Sequence, residues 1–263
     1  MELGLKNRIA FVTGASQGIG RAIAVAFACE GVHLALFGRD EARCEELVRE
    51  LRALHEGLRL VAVKLDFEQP ETIQPAIESA IAELGAIDIL VNCAGGSYRG
   101  RLNDIPDDAW ERRFRVKPFG LIRMTRATVP YLKRSNQARV INLSGIRGRE
   151  PSAHAVMGGP INAATLSATK ALANELGPLG ITVNAVSPGP TQTRRWTELV
   201  ALTARDHNIS EDEAKKHLLR ECPLGRVGLP EDVADLVVFL SSARAAMISG
   251  CAINVDGGRS HSI

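Results

Sequence analysis

The stretch that decides the fold is VTGASQGIG at residues 12–20. It continues the mostly apolar run RIAFVTG, which begins at Arg8, and it is followed by the amphipathic sequence RAIAVAFACEG at 21–31. In a strand–loop–helix unit of this kind, glycines let the backbone turn tightly and approach a phosphate group. The free N–H groups and the positive dipole end of the helix then face the phosphate charge. The stretch predicts a β–loop–α unit with a phosphate-binding loop; a plain glycine turn is the alternative.

Short apolar runs recur along the whole chain, and most are separated by charged, amphipathic stretches long enough for helices. Besides the first run, they lie at 32–38, 58–66, 87–95, 138–145, 180–189 and 251–258. Strands that are apolar on both faces, alternating with helices, are typical of a parallel sheet covered on both sides. The sequence therefore predicts an α/β protein, a Rossmann-type three-layer α/β/α sandwich with a mostly parallel seven-stranded sheet.

The chain has 263 residues and no linker or repeat, so we expect a single domain spanning 1–263. The one long polar insertion covers about 194–222. Its segment EDEAKKHLLR (211–220) has helical spacing, which favours a helical lid near the ligand mouth; a solvated surface helix is the alternative.

Composition bounds the function. With 32 Lys and Arg against 30 Asp and Glu, no basic field indicates nucleic acid. No apolar run is long enough for a membrane span, and the first residues lack the pattern of a signal peptide. The five cysteines form no CxxC pair and suit no closed disulfide framework, so we expect a reduced, cytoplasmic protein without a metal site.

Four motifs together resemble the short-chain dehydrogenase/reductase family. The loop spacing is TGxxxGxG, NCAG (92–95) is similar to the family's NNAG, Pro188-Gly189 to its PG, and VDGG (255–258) to its closing strand. The resemblance runs the length of the chain. It implies a sheet in the order 3-2-1-4-5-6-7, assembly as a homodimer or homotetramer, and a small-molecule ligand beside a nicotinamide dinucleotide.

The resemblance also implies which residues hold that cofactor. At the end of the second strand the family discriminates NAD(H) from NADP(H), and Arg39 there favours NADP(H). Asp40 follows at once and leaves NAD(H) open. The cofactor-binding residues implied are Gly14, Ser16, Gln17, Gly18, Ile19, Gly20, Arg39, Asp66, Asn92, Ala94, Gly95, Pro188, Gly189, Thr191 and Thr193.

The family's catalytic residues have no counterparts here. The family uses an Asn, a Ser, a Tyr and a Lys four residues after the Tyr. Aligned on Glu175, these four positions hold Lys117, Gly145, Gly159 and Ala163. Apart from the alignment, the only tyrosines are Tyr98 and Tyr131, and neither is followed by a lysine at the required spacing.

Two further features suggest an acidic ligand. In MGGP (157–160), Pro160 suits a first helical turn and the glycines before it suit a cap, which would leave N–H groups pointing into the cleft. Several arginines also follow strands on the cleft side, the alternative being an ordinary solvated surface. They are Arg99, Arg101, Arg147, Arg149, Arg194 and Arg195.

Three hypotheses follow. The chain binds the dinucleotide without turnover, as a regulatory protein or silent subunit. Alternatively it is a rebuilt reductase, in which Lys117 reaches the space vacated at Ala163 and His154, Ser144 or Tyr98 donates the proton. The third hypothesis is a lyase or isomerase that uses the cleft without net redox change. Whether the chain is an enzyme stays open at this point.

Overall fold

In a computed structural model the chain is described over residues 2–96, 100–153 and 155–262. Within these residues lies one sheet of seven strands in the order β3-β2-β1-β4-β5-β6-β7. Every strand pairing is parallel. The predicted Rossmann-type sheet and its order are confirmed. The strands are β1 Ile9–Thr13, β2 His33–Gly38, β3 Leu60–Lys64, β4 Ile89–Asn92, β5 Arg139–Leu143, β6 Thr182–Pro188 and β7 Ala252–Val255.

Helices cover both faces of the sheet, which confirms the three-layer sandwich. Buried side chains of α1, α2 and α9 pack on one face. Those of α3, α5 and α6 pack on the other. The helices are α1 Gly18–Cys29, α2 Glu41–Leu54, α3 Ile73–Leu84, α4 Asp107–Phe114, α5 Gly120–Leu132, α6 Gly158–Leu176, α7 Arg194–His207, α8 Glu211–Leu219 and α9 Pro230–Ser241.

The central strands are buried throughout, as their apolar sequences require. All residues of β1, β2, β4 and β5 are buried, whereas the edge strands β3 and β7 are partly exposed. A strand with helices on both faces has no solvated side, so the alternation of an amphipathic strand is absent. The carboxyl ends of the strands therefore meet at one edge of a rigid layer, where the loops that follow them form a cleft.

Between α4 and α5 the helix widens into a π-helical segment, Arg115–Phe119. Pro118 lies inside this segment and is buried. A proline in a helix cannot donate its backbone hydrogen bond, and a π turn absorbs the disruption by accommodating one extra residue. Such turns re-aim the side chains next to them, here that of Lys117.

The start of α6 differs from the prediction. The glycines of MGGP were expected to precede the helix as a cap, but the helix already begins at Gly158, with Met157 as its N-cap. Pro160 is the third helical residue. A proline is tolerated there because the N–H groups of the first turn have no partner within the helix.

The polar insertion forms a helical pair, α7 and α8. They pack on each other through Val200, Ala204 and Ala214, with Trp196 and Leu218 against them. Ser210 caps α8, since its hydroxyl accepts from the N–H of Glu213. None of the helices in the described ranges is long and apolar enough to cross a membrane.

Candidate functional site

The glycine loop is built for close approach of a ligand to the backbone. Gly14 and Gly18 have positive φ angles of 68° and 58°, which favour glycine. A Cβ atom on Gly20 would lie 2.2 Å from the carbonyl oxygen of Gly14. The N-cap of α1, Gln17, makes no side-chain capping bond, so the first N–H groups of the helix are left for another acceptor. The loop therefore fits the pyrophosphate of a dinucleotide.

The loop after β6 lies against this glycine loop. A Cβ atom on Gly18 would be 3.4 Å from Cγ2 of Thr193. Thr193 donates to the carbonyl oxygen of Thr191, and Thr191 to that of Gly189. Gly189 is itself required by packing, because a Cβ there would lie 2.7 Å from Cβ of Asp256. The structure thus brings together the sequence-predicted residues of the first and sixth strand ends.

Thr13 fixes the loop after β4. Its hydroxyl oxygen accepts from the N–H groups of Cys93 and Ala94, at 3.0 and 3.1 Å, and donates to the carbonyl oxygen of Val91. The Asn92 side chain, in contrast, was expected to line the cleft but is turned into the protein. Its amide nitrogen donates to Asn142 at 2.9 Å and to Thr125 at 3.3 Å. The Asn92 side chain is therefore buried and links β4 to β5 and α5 through Nδ2, while its Oδ1 has no partner among the described residues.

At the ends of β2 and β3 the acidic side chains are engaged in local structure, whereas the basic side chain of Arg39 is exposed. Asp40 is the N-cap of α2 and accepts from the N–H of Arg43, which also forms an ion pair with it. Arg39 is exposed and only loosely paired with Glu68, at 3.6 Å. Asp66 accepts from the N–H of Glu68 and so holds the turn after β3. The guanidinium of Arg39 is therefore free to move, whereas the carboxylate of Asp40 is engaged by Arg43.

Lys117 is the charged group at the centre of the site. Its ammonium donates to the carbonyl oxygen of Ser144 at 2.9 Å and to Oδ1 of Asn162 at 2.7 Å. Its stem passes over Gly95, where an added Cβ would meet it at 3.0 to 3.1 Å. Burial, together with the charge of Arg195, lowers the pKa of Lys117 from 10.5 to about 8. An ammonium that titrates near neutral pH can act as an acid as well as a hydrogen-bond donor.

Asn162, rather than Ala163, is the α6 residue that meets Lys117. The expectation that Lys117 fills the space at Ala163 is therefore wrong. Asn162 is buried, while Ala163 is exposed and lines an apolar pocket with Pro151 and Gly159. Sequence reasoning missed Asn162; the signal that could have identified it is that it is the one polar residue in the stretch INAA at 161–164, next to the expected position Ala163.

Gly145 and Ser144 both lie against Asn162. A Cβ on Gly145 would lie 3.1 Å from Nδ2 of Asn162, so the missing side chain leaves room for the amide. The Ser144 hydroxyl donates to the carbonyl oxygen of Asn162 at 3.1 Å and is buried. Ser144 therefore holds α6 against β5 and does not present its proton to the cleft.

Two arginines border the cleft beside Gly96. Nη1 of Arg195 and of Arg113 would lie 3.1 and 3.7 Å from a Cβ on Gly96. Burial and the charge of Arg113 lower the pKa of Arg195. Arg113 was not identified from the sequence; it lies in the last turn of α4, directly before the π-helical segment that carries Lys117.

The other predicted arginines do not join this pair. Arg194 pairs with Glu198 at 2.8 Å, and Arg149 donates to the carbonyl oxygen of Ala252. Arg147 donates weakly to the carbonyl oxygen of Glu150. Arg101 is exposed. The remaining predictions on Arg99, Tyr98 and His154 fall outside the described residues.

Tyr131 does not take the place of the missing tyrosine. It lies on α5 and packs against the apolar core between the helices and the sheet. The guanidinium of Arg134 stacks over its ring at 5.8 Å. Its ring is partly buried at the C-terminal end of α5, away from the strand ends that form the cleft.

Comparisons with known proteins agree with this architecture. The model of a family described as enoyl-(acyl carrier protein) reductase matches residues 14–260. The short-chain reductase protein NovJ of Streptomyces niveus is 33% identical over 97% of this chain and 94% of its own length. Galactitol 2-dehydrogenase of Agrobacterium fabrum is 33% identical over 97% of this chain and 98% of its own length.

A solved structure resembles this chain in shape as well as in sequence. The L-sorbose reductase of Gluconobacter frateurii, crystallised with NADPH and L-sorbose, superposes with a TM-score of 0.94. It is 30% identical, and the match covers 100% of both chains. This chain belongs to the short-chain dehydrogenase/reductase family, a family of oxidoreductases.

Proposed function

We propose that this chain binds NADP(H), in preference to NAD(H), and does so without the family's tyrosine-dependent proton relay. The observation that carries the first part is the glycine loop. The close approach of Gly20 to Gly14 and the uncapped start of α1 make a cradle for a pyrophosphate. The L-sorbose reductase complex with NADPH supports the same cofactor class.

The preference for NADP(H) rests on charge. Arg39 is exposed and can swing towards a phosphate, whereas Asp40 is engaged by Arg43 and by the start of α2. A guanidinium binds a phosphate monoester through charge-assisted hydrogen bonds, and an engaged carboxylate is not available to ribose hydroxyls.

The absence of the relay does not depend on how α6 is aligned. If Asn162 stands at the lysine position, the tyrosine position is Gly158; if Ala163 does, it is Gly159. Glycine carries no proton donor at either position, and helix Gly158–Leu176 contains no tyrosine. We therefore interpret the chain first as a binding protein, a regulatory protein or the silent subunit of an oligomer.

Calorimetric titration with NADPH, NADP⁺, NADH and NAD⁺ tests the proposal. We expect NADPH and NADP⁺ to bind at least about tenfold more tightly than NADH and NAD⁺, since one charge-assisted contact to the extra phosphate distinguishes the two pairs. Failure of all four to bind would overturn the proposal. The second part of the proposal is that the chain lacks the family's proton relay. Rapid oxidation of NADPH by simple ketones at neutral pH, at the same rate in the wild type and in Lys117→Met, would overturn it.

A reductase with a lysine proton donor is the second candidate, and the ammonium of Lys117 favours it. The relatives named reductases and dehydrogenases support redox chemistry. NADPH would supply the hydride for a carbonyl carbon, and Nζ of Lys117, with its pKa lowered to about 8, would supply the proton for the oxygen. Under this hypothesis Lys117→Met abolishes turnover, whereas the control Lys170→Met on the exposed side of α6 retains it.

We also propose that α7 and α8 act as a lid. α7 begins directly after Thr193, which lies against the glycine loop, and the helical pair has its own small apolar cluster. A pair that packs mainly on itself can move as a unit when a ligand enters. Hydrogen exchange of 194–222 should slow when NADPH is added, and unchanged exchange would contradict the lid.

A further inference from the structure

The ammonium of Lys117 has one proton left for a ligand. It carries three N–H donors, and two of them are used by Ser144 and Asn162. No third acceptor lies within hydrogen-bond distance among residues 2–96, 100–153 and 155–262. The position of the group is set by the π-helical segment Arg115–Phe119 and by the absence of a side chain at Gly95.

Asn162 is oriented by the same contact. Because an ammonium only donates, its bond to Asn162 must go to the amide oxygen, and Nδ2 is turned the other way. Nδ2 has no acceptor in the described part of the chain, and it faces the space that Gly145 leaves open. The site therefore presents two adjacent kinds of donor, an ammonium and an amide, held by one hydrogen bond of 2.7 Å.

We infer that Lys117 and Asn162 are the lysine and the asparagine of the family site in exchanged positions, and that together they bind the hydroxyl groups of the ribose next to the nicotinamide. This inference rests on the proposed dinucleotide binding. The family pattern has asparagine at the position of Lys117 and lysine on the helix that follows β5. Here Val116 is followed by lysine, and the buried α6 position holds asparagine.

The exchange conserves what the site needs. One ammonium and one amide remain between the ends of β4 and β5, so neither the net charge nor the number of donors at this point changes. Replacing only one partner would not conserve them. With asparagine at both positions the site would lack the charge. With lysine at both positions two ammoniums would lie within hydrogen-bond distance, where like charges repel.

Reciprocal substitution tests the exchange. NADPH affinity is measured by calorimetry for the wild type, for Lys117→Asn, for Asn162→Lys, and for Lys117→Asn combined with Asn162→Lys. We expect each single variant to bind roughly 10- to 100-fold more weakly, since a charged hydrogen bond is lost or a like charge is added. The double variant should recover to within about threefold of the wild type, because the ammonium and the amide are both restored.

The matched control is Lys117→Asn combined with Ala163→Lys. Ala163 is exposed and faces Pro151 and Gly159 rather than Lys117. A lysine there should not rescue binding, although it restores the charge and stands only one residue away. Rescue by this control, with no rescue by the exchange, would overturn the inference.

A second readout, the pH dependence of NADPH binding, is available from the wild type alone and therefore does not depend on the folding of any variant. The charged and titratable groups that act on the ammonium of Lys117 are Cys93 after β4 and Arg195 on α7, and its hydrogen-bond partners are Ser144 after β5 and Asn162 on α6. Its pKa of about 8 means that NADPH affinity of the wild type should fall as the pH rises from 7 to 9. In Lys117→Asn that pH dependence should be absent. Equal affinity and equal pH dependence in both proteins would overturn the inference alone, whereas no NADPH binding by the wild type would overturn the proposed function as well.

Discussion

The carbonyl oxygen of Gly14 lies where the side chain of residue 20 would have to be, because a Cβ on Gly20 would come within 2.2 Å of it. This contact locks the start of α1 onto the end of β1. The obstructing atom belongs to the backbone, so no side chain can move aside to relieve it. Residue 20 therefore decides both the shape of the glycine loop and the packing of the first helix.

Gly20→Ala should abolish NADPH binding and lower the thermal unfolding temperature, because the loop must open to admit the methyl group. Gly177→Ala is the matched control. Gly177 is in helical conformation and has nothing within 4 Å of an added Cβ, so the control should bind as the wild type does. Calorimetry and a thermal melt of both variants check this, and normal binding by Gly20→Ala would contradict it.

Arg39→Asp should reverse the cofactor preference. Loss of the guanidinium removes a phosphate contact, and the new carboxylate can accept from ribose hydroxyls. We expect NADPH affinity to fall by roughly tenfold or more and NADH affinity to rise. Arg49→Ala serves as the control, since Arg49 is an exposed arginine of α2 to which no part in cofactor binding is assigned. An unchanged ratio of the two affinities in Arg39→Asp would show that Arg39 plays no part.

Thr13→Val should destabilise the loop after β4. The valine has the same shape but leaves the N–H groups of Cys93 and Ala94 without their acceptor. We expect a loss of about 1–3 kcal/mol in the free energy of unfolding. Thr13→Ser keeps the hydroxyl and should retain most of that stability. Denaturant titration of both variants decides, and a loss in Thr13→Val no larger than that in Thr13→Ser would contradict a stabilising role of these hydrogen bonds.

Lys117 should make the stability of the protein depend on pH above neutrality. Its pKa is about 8 in the folded protein and near its ordinary value of 10.5 when unfolded. Between these values the unfolded chain binds the extra proton, so the free energy of unfolding rises with pH, by at most about 1.4 kcal/mol per unit. Lys117→Met lacks this contribution.

The measurement is the difference in unfolding free energy between the wild type and Lys117→Met at pH 7, 8 and 9. That difference should move in favour of the wild type as the pH increases. Other titrating groups cancel in the comparison because both proteins contain them. A difference that stays constant across the range would mean that Lys117 keeps an ordinary pKa.

Cys93 should be unreactive despite its place at the cleft. Burial raises the pKa of its thiol to about 12, and the charge of Lys117 offsets this only in part. Only the thiolate is alkylated, so at pH 8 iodoacetamide should label the exposed Cys29 and Cys251 much faster than Cys93. Mass spectrometry of a time course checks the order, and early labelling of Cys93 would contradict the raised pKa.

Much of the fold was predictable because it depends on local patterns. Apolar runs such as the one at 180–189 require burial on both faces, and the glycine spacing at 12–20 requires a tight turn before a helix. The strand order followed from the family resemblance. Gly189 and Thr193, in the loop after β6, remain predicted cofactor-binding residues, and the structure places this loop against the glycine loop.

The side-chain directions were not predictable. Asn92 follows the pattern of a cleft residue, yet its amide bonds to Asn142 inside the sheet. The sequence placed the missing lysine position at Ala163, but the helix turns Asn162 towards Lys117. One residue along a helix is a rotation of about 100°, so an alignment uncertain by one residue leaves open which side chain enters the site.

The sequence by itself determined the sheet, the glycine loop after β1 and the lack of a tyrosine on helix Gly158–Leu176, because each depends on which residue types stand at fixed short spacings. Only the tertiary structure decided that Lys117 and Asn162 meet. They stand 45 positions apart and on different helices. Their contact depends on the π-helical segment Arg115–Phe119, on room left by Gly95 and Gly145, and on the parallel alignment of β4 and β5, and these are properties of packing that no local pattern encodes.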